Sequence, residues 1–223
     1  MEEVSTPLSV PKRRFPDGAA VLGIDLRSSA RYPTGVAALD ARLRVRLLRR
    51  VRADDELLAV VEQVRPSVVA IDAPLGLPEG RDCADPACEC ARFGIMREID
   101  RACARAGYRP FPTLLPSMVN VTLRGIALAR QLTAGGATVI EVYPGMAQDQ
   151  LGIPRKRLGV AALANGLRRN GVRGLPRRPP SHDELDAVTC ALVARLYARG
   201  EAGSADWSGS YPFVTPGPAL ARS

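Results

Sequence analysis

The segment Ser181-His182-Asp183-Glu184-Leu185-Asp186-Ala187 directly follows Arg177-Arg178-Pro179-Pro180. Two consecutive prolines do not continue a helix, and the Ser-x-x-Glu spacing behind them is a capping box, so a helix is predicted to begin at Ser181. Apolar residues then recur at intervals of three and four: Leu185, Val188, Leu192 and Leu196. This spacing predicts that one face of the helix lies on a hydrophobic core.

Two acidic residues of this helix, Asp183 and Asp186, fall outside the apolar stripe. At about 100° per residue they share a second stripe with small residues that let another element come close: Ala187, Cys190 and Ala194. The other charged residues are predicted to face solvent: Glu184, Arg195 and Arg199. Two carboxylates on a largely buried helix need a cation. The alternative is that both simply favour the helix N-terminus, where negative charge is stabilised.

Three more acidic residues stand at the ends of apolar runs. Asp25 follows the run 19–24, Asp72 closes 67–72, and Glu141 lies near the end of 137–142. Continuous apolar runs of this length are typical of strands buried on both faces. Because sites in open α/β sheets form at the carboxyl ends of central strands, these three residues are candidates for a common site with the helix aspartates.

The order of the predicted elements indicates an α/β fold. Three meander strands (19–24, 34–39 and 43–47) precede a helix (54–65), a strand (67–72), further helices, a strand (137–142) and two last helices. Since crossover connections are right-handed and place parallel strands side by side, we expect a mixed five-stranded sheet with helices on both faces.

The predicted domain spans residues 19–200 and carries an irregular insertion, rich in cysteine and arginine, at about 75–117. Residues 1–18 have no periodicity and are predicted to be a disordered tail. Residues 201–223 form a C-terminal tail, in which Trp207 to Pro216 could add an edge strand.

Composition constrains the partner. The chain has 223 residues, with 31 basic against 23 acidic side chains and a net charge of +8, and its only lysines are Lys12 and Lys156. Arginine binds phosphate bidentately, so this balance suits nucleic acid. A GC-rich genome would produce the same arginine excess.

The sequence shows no apolar run long enough to span a membrane and no secretory signal pattern, so we expect a cytoplasmic protein that does not contact membranes. Its five cysteines are then expected to be reduced. Cys83, Cys88 and Cys90, with Cys103 as a fourth ligand, could bind structural zinc or an iron-sulfur cluster, although free thiols are the default. Cys190 is interpreted as core packing.

Four motifs together resemble a known family: GIDL at 23–26, IDAPLGLP at 71–78, EVYP at 141–144 and SHDELDA at 181–187. They are similar to a family of predicted nucleases, classed as a domain of unknown function, in the ribonuclease H-like superfamily. The spacing on the final helix also resembles that of Holliday-junction resolvases. The resemblance covers residues 20–200. It implies a ribonuclease H-like sheet and a hydrolase activity on DNA or RNA.

The resemblance implies a nuclease that uses Mg²⁺ or Mn²⁺ held by carboxylates. Asp25 would bridge the ions, Asp72 and Asp183 or Asp186 would complete the ligands, and Glu141 would be either a ligand or a base that does not touch the ions. His182 could carry protons or contact the scissile phosphate, or it could simply orient the helix start. Three arginines of the insertion would contact phosphates: Arg81, Arg92 and Arg97.

Other enzyme classes fit less well. His182 is the only histidine, which excludes a zinc triad of histidines, and neither a Gly-x-Ser-x-Gly elbow nor a glycine-rich nucleotide loop is present. Two alternatives stay open. One is a catalytically silent module that binds nucleic acid or protein, and the other is an actin-like phosphotransferase, which normally pairs two such domains.

Overall fold

The computed structural model describes residues 19–205 and 211–220. The predicted N-terminal tail, 1–18, residues 207–210 of the predicted edge strand and the end of the predicted C-terminal tail, 221–223, lie outside the described residues. Among the described residues, no helix combines the length and the hydrophobicity needed to cross a membrane.

One mixed sheet forms the centre of the fold. Its strands lie side by side in the order β3-β2-β1-β4-β5-β7-β6. The first three strands form an antiparallel meander, and β1, β4 and β5 are parallel neighbours. The strands are β1 (Val21–Asp25), β2 (Thr34–Leu39), β3 (Val45–Val51), β4 (Val68–Asp72), β5 (Thr138–Glu141), β6 (Gly203–Ala205) and β7 (Phe213–Thr215).

This arrangement confirms the predicted mixed sheet, a three-strand meander followed by parallel strands, but the sheet has seven strands rather than five. The two additional strands come from the chain after residue 200. β7 lies between β5 and β6, so β6 forms the edge. Both are only three residues long, which is too short to show the alternation of apolar and polar residues that identifies a strand in a sequence.

Helices cover both faces. On one face α1 and α3 pack against alternate residues of the strands, and on the other α4, α5 and α6 pack against the remaining ones. The helices are α1 (Asp54–Val64), α2 (Glu98–Arg105), α3 (Val119–Ala134), α4 (Pro144–Gln150), α5 (Val160–Arg169) and α6 (His182–Arg199). Short 3-10 turns occur at Glu89–Phe93 and Lys156–Leu158.

The α6 helix begins as predicted. The hydroxyl of Ser181 accepts a hydrogen bond from the backbone N–H of Glu184 at 3.2 Å, and the Glu184 carboxylate accepts one from Ser181 N at 2.8 Å. These reciprocal bonds satisfy two backbone donors that the helix itself leaves unpaired.

Two of the three residues predicted to face solvent on α6 are buried. The carboxylate of Glu184 is held by the guanidinium of Arg178, whose Nη1 lies 3.0 Å from Oε2. Arg195 is 5% exposed and donates to the backbone carbonyl oxygens of Ala19 and Leu39. Only Arg199 is exposed. The prediction failed because α6 is enclosed by loops and strand ends as well as by the sheet.

Two glycines let α6 lie directly on the sheet. A Cβ atom at Gly23 in β1 would come within 2.0 Å of Ala187 O, and one at Gly35 in β2 would come within 2.1 Å of Asp183 O. The backbones of helix and strands are therefore in contact at these points. This contact fixes the depth at which the aspartates of α6 meet the ends of the strands.

We expect Gly23→Ala to destabilise the fold by about 3 kcal/mol, since the added methyl group would push α6 off the sheet. Gly135→Ala is the matched control. Gly135 has φ of −77° and its Cβ would lie no closer than 3.4 Å to any atom, so its effect should stay within about 0.5 kcal/mol. Urea unfolding of both variants measures the difference. Equal stabilities would contradict the close helix–sheet contact.

Candidate active site

The register of the sheet places Asp25 beside Asp72. The two residues are paired across the parallel strands β1 and β4. Partners in this register point to the same face of a sheet. That face is the one covered by α6, because Val21 and Val68, four residues before each aspartate, belong to the hydrophobic cluster that includes α6. Both carboxylates therefore lie at the carboxyl ends of central strands, against α6.

The α6 helix brings Asp186 and Asp183 to the same place. Asp186 is buried and accepts a hydrogen bond from Nε2 of Gln148 at 2.7 Å. Its other oxygen, Oδ2, lies 3.2 Å from Nζ of Lys156. Asp183 is more exposed, and its Oδ1 lies 3.5 Å from Nη1 of Arg27. Four predicted aspartates thus converge, and we call Asp25, Asp72, Asp183 and Asp186 the aspartate cluster.

Asp25 occupies the most constrained position in the cluster. It is 7% exposed, and its Oδ2 is a buried oxygen without a hydrogen-bond partner. Burial raises the pKa of Asp25 well above its usual value, and the negative charges of Asp72, Asp186 and Asp183 raise it further. A carboxylate in this state is costly unless a cation or a proton compensates it.

Asp72 has a similar environment. Burial raises the pKa of this carboxyl to about 8, and the charge of Asp186 acts in the same direction. The positive charge of Lys156 partly offsets the rise. Since an aspartic acid in water ionises near pH 4, the cluster binds protons at neutral pH that an unfolded chain would release.

Glu141 points to the opposite face. Its register partner is Ile71, one residue before Asp72, and Ile71 belongs to the cluster packed against α1 and α3. Nη1 and Nη2 of Arg97 donate to Oε2 and Oε1 of Glu141 at 2.7 and 2.6 Å. The backbone N–H of Leu75 donates to Oε2 at 2.8 Å. Both oxygens are engaged and the charge is neutralised, unlike the charge of Asp25.

Arg97 was predicted to contact phosphate, but it is 3% exposed and lies between two carboxylates. Its second partner is Asp100, whose Oδ2 also accepts a hydrogen bond from the Thr113 hydroxyl at 2.6 Å. The guanidinium therefore joins the insertion to β5. A side chain committed in this way has few donors left for a substrate.

The other two arginines that were predicted to contact phosphate lie outside the cleft. Arg81 is 8% exposed and donates to three backbone carbonyl oxygens within the insertion. Arg92 is exposed, pairs with Glu89 at 2.6 Å and stacks on Phe93. Neither lines the cleft beside the aspartate cluster. Composition alone does not distinguish an arginine that holds a loop from one that faces a ligand.

A cleft of about 770 Å³ opens beside the cluster. Asp25, Asp72 and Asp186 lie in its wall together with Glu141 and Arg97. Basic side chains stand along it: Arg27, Arg155, Lys156 and Arg157. It also exposes two aromatic rings, those of Tyr32 and Phe111, which are 46% and 67% exposed.

His182 does not line this cleft and is exposed at the first residue of α6. Its position fits the alternative in which it is a residue of the helix start. Two residues that the sequence analysis did not assign to the site, Gln148 and Lys156, contact Asp186 directly. The signal for Lys156 was available, because it is one of only two lysines in an arginine-rich chain.

The aspartate cluster fits a hard divalent cation. Its donor atoms are all oxygens, the ligands that Mg²⁺ and Mn²⁺ prefer, and one of them is buried without a partner. Among the residues the structure describes, the three thiols of Cys83, Cys88 and Cys90 form the one group of three or more metal-ligand side chains whose donor atoms all lie within 4.8 Å of one another. The carboxylates are spread more widely.

Cys103 does not join these thiols. It is 2% exposed on α2 and packs with Ile99, Met146 and Phe213 in a separate hydrophobic cluster. Cys103, which the sequence analysis offered as the fourth ligand of an alternative metal site, is therefore not part of the thiol group. Cys190, a residue of α6, is fully buried against β1, as predicted for core packing.

Comparison with known proteins gives a family match and a structural similarity. The model of a family described as "Protein of unknown function (DUF429)" matches residues 23–206. No curated protein matches the chain. Among solved structures, one described as "Thermus thermophilus RuvC structure" is similar with a TM-score of 0.44 and 17% sequence identity, covering 81% of this chain and 96% of that chain. Because the family model spans most of its length, this chain belongs to the family described as "Protein of unknown function (DUF429)".

Proposed function

We propose that the protein is a metal-dependent nuclease that hydrolyses phosphodiester bonds in nucleic acid at the aspartate cluster. The observation that carries the proposal is the unpaired, buried Oδ2 of Asp25, surrounded by three other aspartates. Retaining this repulsion in a folded protein is costly unless the carboxylates have a use for a cation. The cleft beside them provides access for a large substrate.

The roles of the residues follow from their contacts. The charges of Asp72 and of both α6 aspartates act on Asp25, which suits a carboxylate that bridges two ions. In sites of this kind the two ions lie about 3.5–4 Å apart. Divalent ions at this place would supply an activated water and stabilise charge on the leaving oxygen.

Glu141 has a different role in this proposal. Its oxygens are occupied by Arg97 and by Leu75 N–H, so it anchors the insertion beside the cleft instead of binding an ion. Gln148 orients Asp186 through a hydrogen bond to Oδ1, leaving Oδ2 directed toward Lys156. Lys156 is 59% exposed in its side chain, so its ammonium group can turn from Asp186 toward a phosphate.

The cleft supports a nucleic-acid substrate in particular. Arg27 and Arg157 stand on its rim with Lys156, where they can neutralise phosphates. Tyr32 and Phe111 expose rings at the same cleft, and such rings stack on unpaired bases. This combination fits a strand with accessible bases better than a small phosphate ester.

Asp25→Asn tests the function. The amide keeps the shape but loses the charge that holds divalent ions, so cleavage in Mg²⁺ or Mn²⁺ should fall at least about 100-fold. Asp55→Asn, at an exposed position on α1 outside the cleft, is the control and should retain activity. Single-stranded, duplex, hybrid and branched substrates are assayed in both metals. If the unmodified protein cleaves none of these substrates in either metal, the proposed nuclease function is wrong.

Arg157→Ala tests the substrate surface. Arg157 is exposed and lines the cleft, so its removal should weaken binding to all sequences and reduce the salt dependence of the binding constant by about one phosphate contact. Arg92→Ala is the matched control, because Arg92 is exposed but lies outside the cleft. Binding is measured in Ca²⁺ over a range of salt concentrations. If Arg92→Ala weakens binding as much as Arg157→Ala does, the phosphates contact the insertion and not only the cleft.

The metal-free protein should lose stability as pH rises from about 4 toward 8. In this window Asp72 stays protonated in the folded protein but ionises in the unfolded chain. The folded state therefore binds more protons, and the free energy of unfolding falls by up to about 1.4 kcal/mol per pH unit for each such group. Thermal unfolding in EDTA measures this slope. Mn²⁺ should offset the loss at pH 8, and Asp72→Asn should flatten the slope. A free energy of unfolding that rises from pH 4 to pH 8 would contradict the raised pKa of Asp72.

A catalytically silent binding module is the second candidate, and the ion pair between Lys156 and Asp186 favours it. A lysine beside the cluster partly neutralises the carboxylates without any metal, as its own raised pKa indicates. Titration calorimetry with Mn²⁺ separates the two candidates. Nucleic-acid binding without metal binding or cleavage would support the silent module.

A further inference from the structure

Part of the insertion is held together without a hydrophobic core. We call residues 79–94 the cysteine lobe. No residue between 76 and 98, all of which the structure describes, belongs to any of the three hydrophobic clusters. Small segments that lack a core generally need another source of stability, such as a metal ion or a disulfide.

Three thiols meet inside the lobe. The sulfur atoms of Cys83, Cys88 and Cys90 all lie within 4.8 Å of one another. Sγ of Cys90 is 3.7 Å from that of Cys83 and 2.9 Å from that of Cys88, and none of the three cysteines forms a disulfide. In a tetrahedral site with metal–sulfur bonds of 2.3 Å, neighbouring sulfurs stand about 3.8 Å apart. The lobe therefore needs a change of less than about 1 Å to reach this geometry.

A buried arginine keeps the lobe in this conformation. Nε of Arg81 donates to Cys83 O at 3.0 Å, Nη2 donates to Asp85 O at 3.0 Å, and Nη1 donates to Gly94 O at 3.3 Å. The guanidinium thus joins the beginning of the lobe to its end and holds the backbone at Cys83 in place.

We propose that Cys83, Cys88 and Cys90 bind one zinc ion as three thiolates, with water as the fourth ligand. Among the described residues, no fourth cysteine, histidine or carboxylate completes a group of this spacing, so the remaining position is left to water. Binding releases the thiol protons to the solvent as the three zinc–sulfur bonds form. The ion would link the three side chains of the lobe, while Arg81 links its backbone carbonyl oxygens. This proposal does not depend on the nuclease function.

The first measurement is metal content. Full-length protein, purified under reducing conditions and dialysed against excess Mg²⁺ to keep the aspartates occupied, should retain about one zinc per chain. Replacement by Co²⁺ should give the intense near-ultraviolet absorption of thiolate-to-cobalt charge transfer, which carboxylate ligands do not produce. Cys88→Ser and Cys90→Ser should abolish this absorption.

Cys103→Ala is the matched control, because Cys103 is buried outside the lobe. It should keep both the zinc and the cobalt spectrum. In the unmodified protein, a zinc-selective chelator in excess Mg²⁺ should accelerate hydrogen exchange in residues 79–94 and leave α6 unchanged. This readout does not require a variant to fold.

Two results would overturn the proposal. One is reduced, folded protein that takes up no zinc when it is offered and whose three thiols all titrate freely. The other is a cobalt spectrum that survives in Cys88→Ser but disappears in Cys103→Ala, which would restore Cys103 as a ligand.

Discussion

The direct contact between α6 and the sheet is the constraint on which the site depends. Gly23 and Gly35 remove the side chains that would otherwise separate the helix from β1 and β2. Because α6 lies so close, Asp186 reaches the ends of β1 and β4, where Asp25 and Asp72 stand side by side. With ordinary side chains at the two glycines, the helix would sit farther out and the carboxylates would be hydrated separately.

The sequence was sufficient for the first five strands, for the start of α6 and for the positions of the four aspartates, because capping, periodicity and strand ends are local properties. It was not sufficient for Glu141. All three strand-end acids looked equivalent, yet the pairing of Glu141 with Ile71 instead of Asp72 turns it to the other face. Register between parallel strands depends on how the sheet assembles, and a shift of one residue reverses the side of every side chain.

The arginines were misassigned for a related reason. A net charge of +8 suggests a surface made for polyanions, but several guanidiniums work inside the fold. Arg81 holds the cysteine lobe, Arg97 joins the insertion to β5, and Arg124 binds Asp54 together with the carbonyl oxygens of Arg27 and Arg52. A guanidinium has five donors in a rigid plane and can satisfy several carbonyls at once, so it suits loops that lack regular hydrogen bonding.

The acidic residues near the carboxyl ends of the strands are of two kinds: some are neutralised by an arginine, and others are not. Glu141 and Asp100 share Arg97 and are fully hydrogen-bonded, so they stabilise the fold as it stands. Asp25 has an oxygen with no partner, although Lys156 stands close enough to affect its pKa. Among the described residues, no arginine forms an ion pair or a hydrogen bond with Asp25. Since a buried carboxylate that serves only the fold acquires a partner, the one left without a partner is the one where an external cation would act.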